Sequence, residues 1–194
     1  AANSVGVSVG ANGTLGRTGT INTTVSVTGN LAAGNISSSI GDLKVGSVNT
    51  TAALNFSSGG TYIWQMGALA DDITGTAGTD FDQISMTGSG GNLVLGGTSK
   101  LMLDFAALGS DPNSADPFWL ATHSWTIIDG EAGVTNNGST NFSQVLNGSF
   151  ATGSFATTAD ALGNVTLVFT PVPEPTTVAL LLGSLGFLAR RRRN

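Results

Sequence analysis

The chain has 194 residues, 28 of them Gly, no Cys, and only 10% charged side chains, with a formal net charge of −5. Outside the last two dozen residues, three basic residues (Arg17, Lys44, Lys100) face eleven acidic ones, a net of −8. That balance argues against nucleic-acid binding, which needs clustered Lys and Arg to neutralise phosphates, and the lack of Cys removes any disulfide framework. The chain is long enough for one domain with a sizeable core.

The N-terminus, Ala1-Ala2-Asn3-Ser4, has neither a Met start nor a charged-then-apolar leader. Beyond it, apolar residues recur with period two, the signature of half-buried strands. Ile21, Thr23, Val25 and Val27 alternate with polar neighbours, and Leu43 with Val45 form a short run. Tyr62, Trp64 and Met66 share one face of a strand, with Ile63 on the other. Ile84 with Met86, Leu93 with Leu95, and Leu101-Leu103-Phe105 follow; then come Trp125 with Ile127, and Val165-Leu167-Phe169. Between them lie turns such as Ser58-Gly59-Gly60, Gly96-Gly97 and Asn147-Gly148, where Gly and Asn supply positive-φ positions. Helical spacing is weak; Phe105-Ala106-Ala107-Leu108 makes one turn at most.

Many short strands with Gly turns mean an all-β fold: a sandwich, a barrel or a solenoid. The wealth of β-branched residues with Asn, Gly, Ser and Thr favours a right-handed parallel β-helix or solenoid, with a β-sandwich as the alternative. Residues 1–56 are expected to form loose rungs without a strict period. In residues 57–170, Gly59-Gly60-Thr61-Tyr62, then residues 80–88 (Asp80-Phe81-Asp82-Gln83-Ile84-Ser85-Met86-Thr87-Gly88), then residues 93–98 (Leu93-Val94-Leu95-Gly96-Gly97-Thr98) resemble the passenger regions of autotransporter-type β-helix proteins. Residues 126–129 and 165–170 resemble their closing strands. The resemblance implies a structural, surface-displayed β-helix.

Several residues are candidates for chemistry. His123, the one histidine, is followed by Ser124 with Asp129 nearby, but no nucleophile elbow of the G-x-S-x-G kind is present, so a strand-end or loop role is expected. The carboxylate pairs Asp71-Asp72, Asp80 with Asp82, and Asp111 with Asp116 could in principle serve glycoside hydrolysis. The aromatic platforms and basic groups such a site needs are scarce, and the protein is expected not to be an enzyme. Ca²⁺, which takes hard oxygen ligands, is a better match for Asp80 and Asp82 on one extended face and for Asp111, Asn113 and Asp116 in one loop. The competing reading is that these residues form turns. Phe118 and Trp119 follow Pro117 at the end of the loop that holds Pro112 and Pro117, and form a candidate glycan-stacking pair if exposed, against a core role.

The chain ends in Pro171-Val-Pro173-Glu174-Pro175, an apolar run from Thr176 to Ala189, and the four arginines Arg190, Arg191, Arg192 and Arg193. As a helix, 176–189 would reach roughly 21 Å, short of the ~30 Å hydrocarbon core of a bilayer. The arginines suit a membrane–water boundary, where long basic side chains snorkel, and positive charge prefers the cytoplasmic side. An N-out, C-in orientation follows. Pro173 and Pro175 stop a helix from extending upstream and leave an accessible stretch just outside the membrane. Motif, run and basic cluster together resemble the PEP-CTERM sorting signal of Gram-negative bacteria. That resemblance implies recognition of Pro173-Glu174-Pro175 by an exosortase-type membrane enzyme, a transient inner-membrane anchor, and final delivery to the cell surface or matrix. A structural or adhesive role is expected, its weakly charged, hydroxyl-rich face meeting exopolysaccharide, with a carbohydrate-binding module or a glycan-active enzyme as the alternatives. The resemblance also implies export, so the chain is expected to be a mature form or a C-terminal piece of something longer.

Overall fold

A computed structural model describes residues 6–36, 39–46, 53–88, 90–131, 133–136 and 140–173. These residues form 17 strands and one 3-10 turn, and the strands fall into three sheets visited in rotation. The first sheet takes β1 (Val7–Val9), β4 (Val25–Val27), β7 (Ala53–Asn55), β10 (Asn92–Val94) and β13 (Thr135–Asn136). The second takes β2 (Thr14–Gly16), β5 (Asn30–Ala32), β8 (Thr61–Gln65), β11 (Lys100–Asp104) and β14 (Gln144–Leu146). The third takes β3 (Gly19–Ile21), β6 (Asp42–Val45), β9 (Gln83–Met86) and β12 (His123–Gly130). Every neighbouring pair among these strands is parallel. The third sheet then continues antiparallel through β17 (Val165–Pro171), β16 (Gly153–Ala159) and β15 (Ser149–Phe150).

Parallel pairing in register stacks like on like. In the first sheet Val7, Val25, Leu54, Leu93 and Asn136 form one column; in the second, Leu15, Leu31, Tyr62, Leu101 and Val145 do so. In the third, Leu43, Ile84 and Ile128 align. These columns meet in one hydrophobic core. Each fully buried Leu, Ile or Val stabilises the fold by about 1.5–3 kcal/mol before entropy is charged against it. The period-two reading of the sequence therefore holds at Tyr62, Trp64 and Met66, all within that core. Ile63, on the opposite face of β8, is buried as well but lies outside the core cluster. On that side Gln65 Nε2 donates to the Ile36 carbonyl at 3.2 Å, which ties the segment after β5 to β8.

The corner between the first and second sheets is built from glycine. Asn30 N–H donates to Gly13 O, Thr61 N–H to Gly29 O, and Lys100 N–H to Gly60 O, each at 2.9 Å. A side chain is excluded there: a Cβ on Gly60 would lie 2.3 Å from Val27 O and 2.9 Å from the Phe56 ring. The chain needs bare backbone at these corners so that successive circuits can approach to hydrogen-bonding distance.

The circuits lengthen along the chain. Paired positions move apart in sequence from Leu15 with Leu31, through Leu31 with Tyr62, to Leu101 with Val145. The added residues leave as excursions at corners, chiefly 67–80 and 105–122, so strand register is kept while sequence period is lost. Among the described residues, β1 to β6 make two circuits, and strand pairing continues from β4 to β7, β5 to β8 and β6 to β9. Asn136 closes the first column. Its Nδ2 donates to Thr140 O at 2.8 Å, and its own N–H donates to Ala161 O, so the β16–β17 connection folds against the end of the stack.

Candidate functional site

The last strand delivers the chain to its tail. β17 is buried between β12 and β16, with Val165, Leu167 and Phe169 in the core. Pairing ends at Pro171 opposite Gly153, and Val172 N–H donates to Thr152 O at 2.7 Å. Val172 and Pro173 are exposed. Proline at 171 and 173 holds φ near −65° and removes two N–H donors, which ends the ladder and favours an extended exit. Cleavage beyond Pro173 would thus leave every bond of β17 in place. Glu174, Pro175, the apolar run 176–189 and Arg190 to Arg193 lie outside the described residues. Among the described residues no helix is long and apolar enough to cross a membrane.

Near the start of β12 two excursions are joined by the single histidine. His123 Nδ1 faces Asp71 Oδ2 at 2.7 Å, and Nε2 faces the Phe118 carbonyl at 2.6 Å. The Phe118 ring stacks on the imidazole with centroids 3.7 Å apart and planes 4° from parallel. Asp71 Oδ1 also accepts from Ile73 N–H, Thr74 N–H and the Thr74 hydroxyl. Partial burial works against the Asp71 charge, but the hydrogen bonds from His123 and Thr74 and from the two N–H groups outweigh it and hold the carboxyl down to about 2. Both imidazole nitrogens are committed to acceptors, so His123 has no free nitrogen with which to take a proton from Ser124. The cluster is a clasp between residues 67–80 and 110–122. Nothing in the local sequence marks the partnership, because Asp71 and His123 are brought together only by stacking.

The acidic residues singled out from sequence are separated by the fold. Asp80 lies in a turn, and its Oδ2 accepts from Thr76 N–H at 2.8 Å. Asp82 precedes β9 and is fully buried, with one carboxylate oxygen on Gly41 N–H at 2.8 Å and the other on Gln65 N–H at 3.2 Å. The two do not share an extended face, since position 80 is a turn and β9 begins only at Gln83. Burial pushes Asp82 up to about 7, against the pull of its two N–H partners and with a further push from the Asp104 charge. In the other loop Asn113 Oδ1 accepts from Ala115 N–H, and Asp116 Oδ1 caps the 3-10 turn Pro117–Leu120 through Phe118 N–H. The Asp111 main-chain carbonyl accepts from Asn113 Nδ2. Among the described residues no three His, Asp or Glu side chains gather where they could hold a metal ion. Asn113 and Asp116 bond backbone N–H groups two residues on, as turn residues do, whereas Asp82 bonds N–H groups of two other segments, at Gly41 and Gln65.

Trp119 is a correction. The proline-flanked loop does not present it to solvent; it is 1% exposed. Its ring packs edge-on to Phe105 and Phe169 with centroids 6.1 and 5.1 Å away. Trp64 and Trp125 are likewise buried, with Trp125 Nε1 donating to Ala70 O and Trp64 Nε1 to Asp82 O. Apolar area makes burial favourable for all three, and Trp64 and Trp125 also have their indole N–H satisfied. Phe118 is half-buried, and one of its faces is taken by His123.

Grooves on the surface gather some of the acidic residues. One of about 560 Å³ lies over the third sheet and includes Asp72, Asp129 and Asp160. Asp72 is bonded by Thr126, which ties the 67–80 excursion to β12, and Asp160 is bonded by Asn164 within its own turn. Another, of about 540 Å³, lies beside the end of β11 and includes Asp104, Asp111 and Phe150.

Comparison with protein families finds the PEP-CTERM protein-sorting motif at residues 171–193. The matched segment begins at the last residue of β17 and spans the Pro-Glu-Pro motif, the apolar run and the arginines. It implies an exported protein sorted next to the membrane by an exosortase-type enzyme. The chain matches no curated protein and no solved structure. The autotransporter-like resemblance of residues 57–170 accordingly has no relative to support it.

Proposed function

We propose that the protein is a non-enzymatic structural or adhesive component of the cell surface or extracellular matrix, displayed by a body that is a right-handed parallel β-helix. The observation that carries the reading is the sorting motif at 171–193, which starts where the last strand of the body ends. Three parallel sheets visited in rotation support the β-helix assignment, and the right-handed crossover rule for parallel strands supplies its hand. The outer faces are hydroxyl- and amide-rich: Ser8 stacks on Ser26 and Ser26 on Asn55 along the first sheet. Such a surface is hydrated with little charge and suits contact with exopolysaccharide. Processing near Pro173-Glu174-Pro175 would release or exchange the anchor while the body stays folded.

The test is made in an exosortase-bearing host. Glu174→Ala and deletion of Arg190 to Arg193 are each expected to leave unprocessed protein in the membrane fraction. Normal surface delivery of both variants would overturn the sorting role.

A further inference from the structure

We infer that the groove between the end of β11 and the turn after β14 is a binding site for a neutral oligosaccharide. Its volume of about 540 Å³ falls within the ~300–1,000 Å³ typical of small-ligand sites. Its polar groups are held in place before any ligand arrives. Asp104 Oδ1 accepts from Ala106 N–H at 2.9 Å, and Oδ2 accepts from Nε2 of the fully buried Gln65 at 3.1 Å. Each oxygen keeps a lone pair for another donor. Asn147 is the one non-glycine residue at positive φ (55°) among the described residues. Its Nδ2 is pinned to Leu103 O at 3.2 Å, which leaves Oδ1 as an acceptor. That backbone conformation is the one an Asn-Gly turn adopts, and it holds the side chain at the rim of the groove.

The apolar element is Phe150. It is half-buried, and its ring is fixed edge-on against Phe105 (5.7 Å, 82°) and Phe155 (6.0 Å, 78°). The exposed Asp111 carboxylate accepts no hydrogen bond among the described residues, and no basic side chain lines the groove. Fixed acceptors beside a rigid aromatic ring match a ligand with several hydroxyl donors and one apolar face, which describes a pyranose ring. Two carboxylates on a body of net charge −8 select against uronic-acid polymers. The site deepens the surface-protein reading and rests on it only for the origin of the ligand.

Calorimetric titration of the full chain with cellohexaose, maltohexaose and laminarihexaose, and with an alginate hexamer as the anionic control, tests the inference. At least one neutral hexaose is expected to bind, and alginate is not. Asp111→Asn, at an exposed position, and Phe150→Leu, which keeps apolar volume but removes the ring, are each expected to weaken binding roughly tenfold or more with an unchanged melting temperature for Asp111→Asn. No binding of any neutral hexaose at millimolar concentration, preferred binding of alginate, or affinity unchanged in both variants would overturn it. These outcomes are independent of the localisation assay, so either reading can fail alone.

Discussion

The first two circuits and the last two solve the same packing problem with different side chains. Before Phe56 the chain has no aromatic residue at all, and the interior is filled by Val9, Val25, Val27, Leu31, Leu43 and Val45. From β8 onward the interior holds Trp64, Phe81, Phe105, Trp119, Trp125, Phe155 and Phe169, in contact through tilted and edge-to-face pairs. Early circuits are short, so aliphatic side chains suffice to span them. Later circuits carry the excursions 67–80 and 105–122, and the rings of Phe105 and Trp119 reach inward from the second of these. Column stacking of aliphatic side chains dominates the early circuits, with tethers from Gln65 to Ile36 and from Asp82 to Gly41. The later half adds a three-dimensional aromatic network and polar clasps such as Asp71–His123.

The largest expected effect tests that contrast directly. Trp64→Ala removes a ring that touches Phe81, Phe105 and Trp125 and is expected to cost about 3–5 kcal/mol. Leu31→Ala, in the aliphatic half, is expected to cost about 2–4 kcal/mol, and native-state hydrogen exchange should show the loss confined to circuits β1 to β6. Global loss of protection in Leu31→Ala would merge the two halves into one cooperative unit and break the comparison.

The pH dependence is next. Asp82 has a folded value near 7, above its unfolded one, so its contribution is complete below the unfolded value near 4 and is lost as pH rises toward 7. The loss is on the order of a few kcal/mol. Asp71 is displaced the other way, so its contribution is present above about 4 and is lost as pH falls through 2. Urea unfolding from pH 2 to 8 is therefore expected to peak near pH 4. Asp82→Asn should flatten the limb between pH 4 and 7, and His123→Ala should move the acid limb to higher pH. A stability curve that rises from pH 4 to 7 would contradict the role given to Asp82.

The smallest effect concerns the shared corner. Gly60→Ala places a Cβ against Val27 O and the Phe56 ring and is expected to cost about 1–3 kcal/mol, measured by thermal unfolding. Gly109→Ala, where nothing lies within 4 Å of the added Cβ but φ is +81°, carries backbone strain alone and should cost less. Equal losses would mean that backbone conformation, not close stacking, dictates glycine at the corner.

Much of the architecture was legible locally. Alternation at Ile84-Ser85-Met86 or Leu101-Met102-Leu103 reports strands because period two is a property of the strand itself. The glycines at 59, 60, 96 and 97 report turns for an equally local reason. The absence of a strict repeat hid the order of the first two circuits, since excursions between strands change the spacing without changing the register. The hydrogen-bond partners of the acidic residues were not legible, because the N–H groups of Gly41 and Gln65 reach Asp82 only through the stacking of circuits.

By itself the sequence determined the strand-and-turn composition, the aromatic-free stretch before Phe56 and the C-terminal sorting motif. All three depend on residues close together in the chain. The tertiary structure alone decided that Trp119 is buried, that Asp71 meets His123, and that Asp104, Asp111, Asn147 and Phe150 line one groove. Those pairings join residues tens of positions apart, and only the stacking of circuits of unequal length brings them within hydrogen-bonding or van der Waals reach.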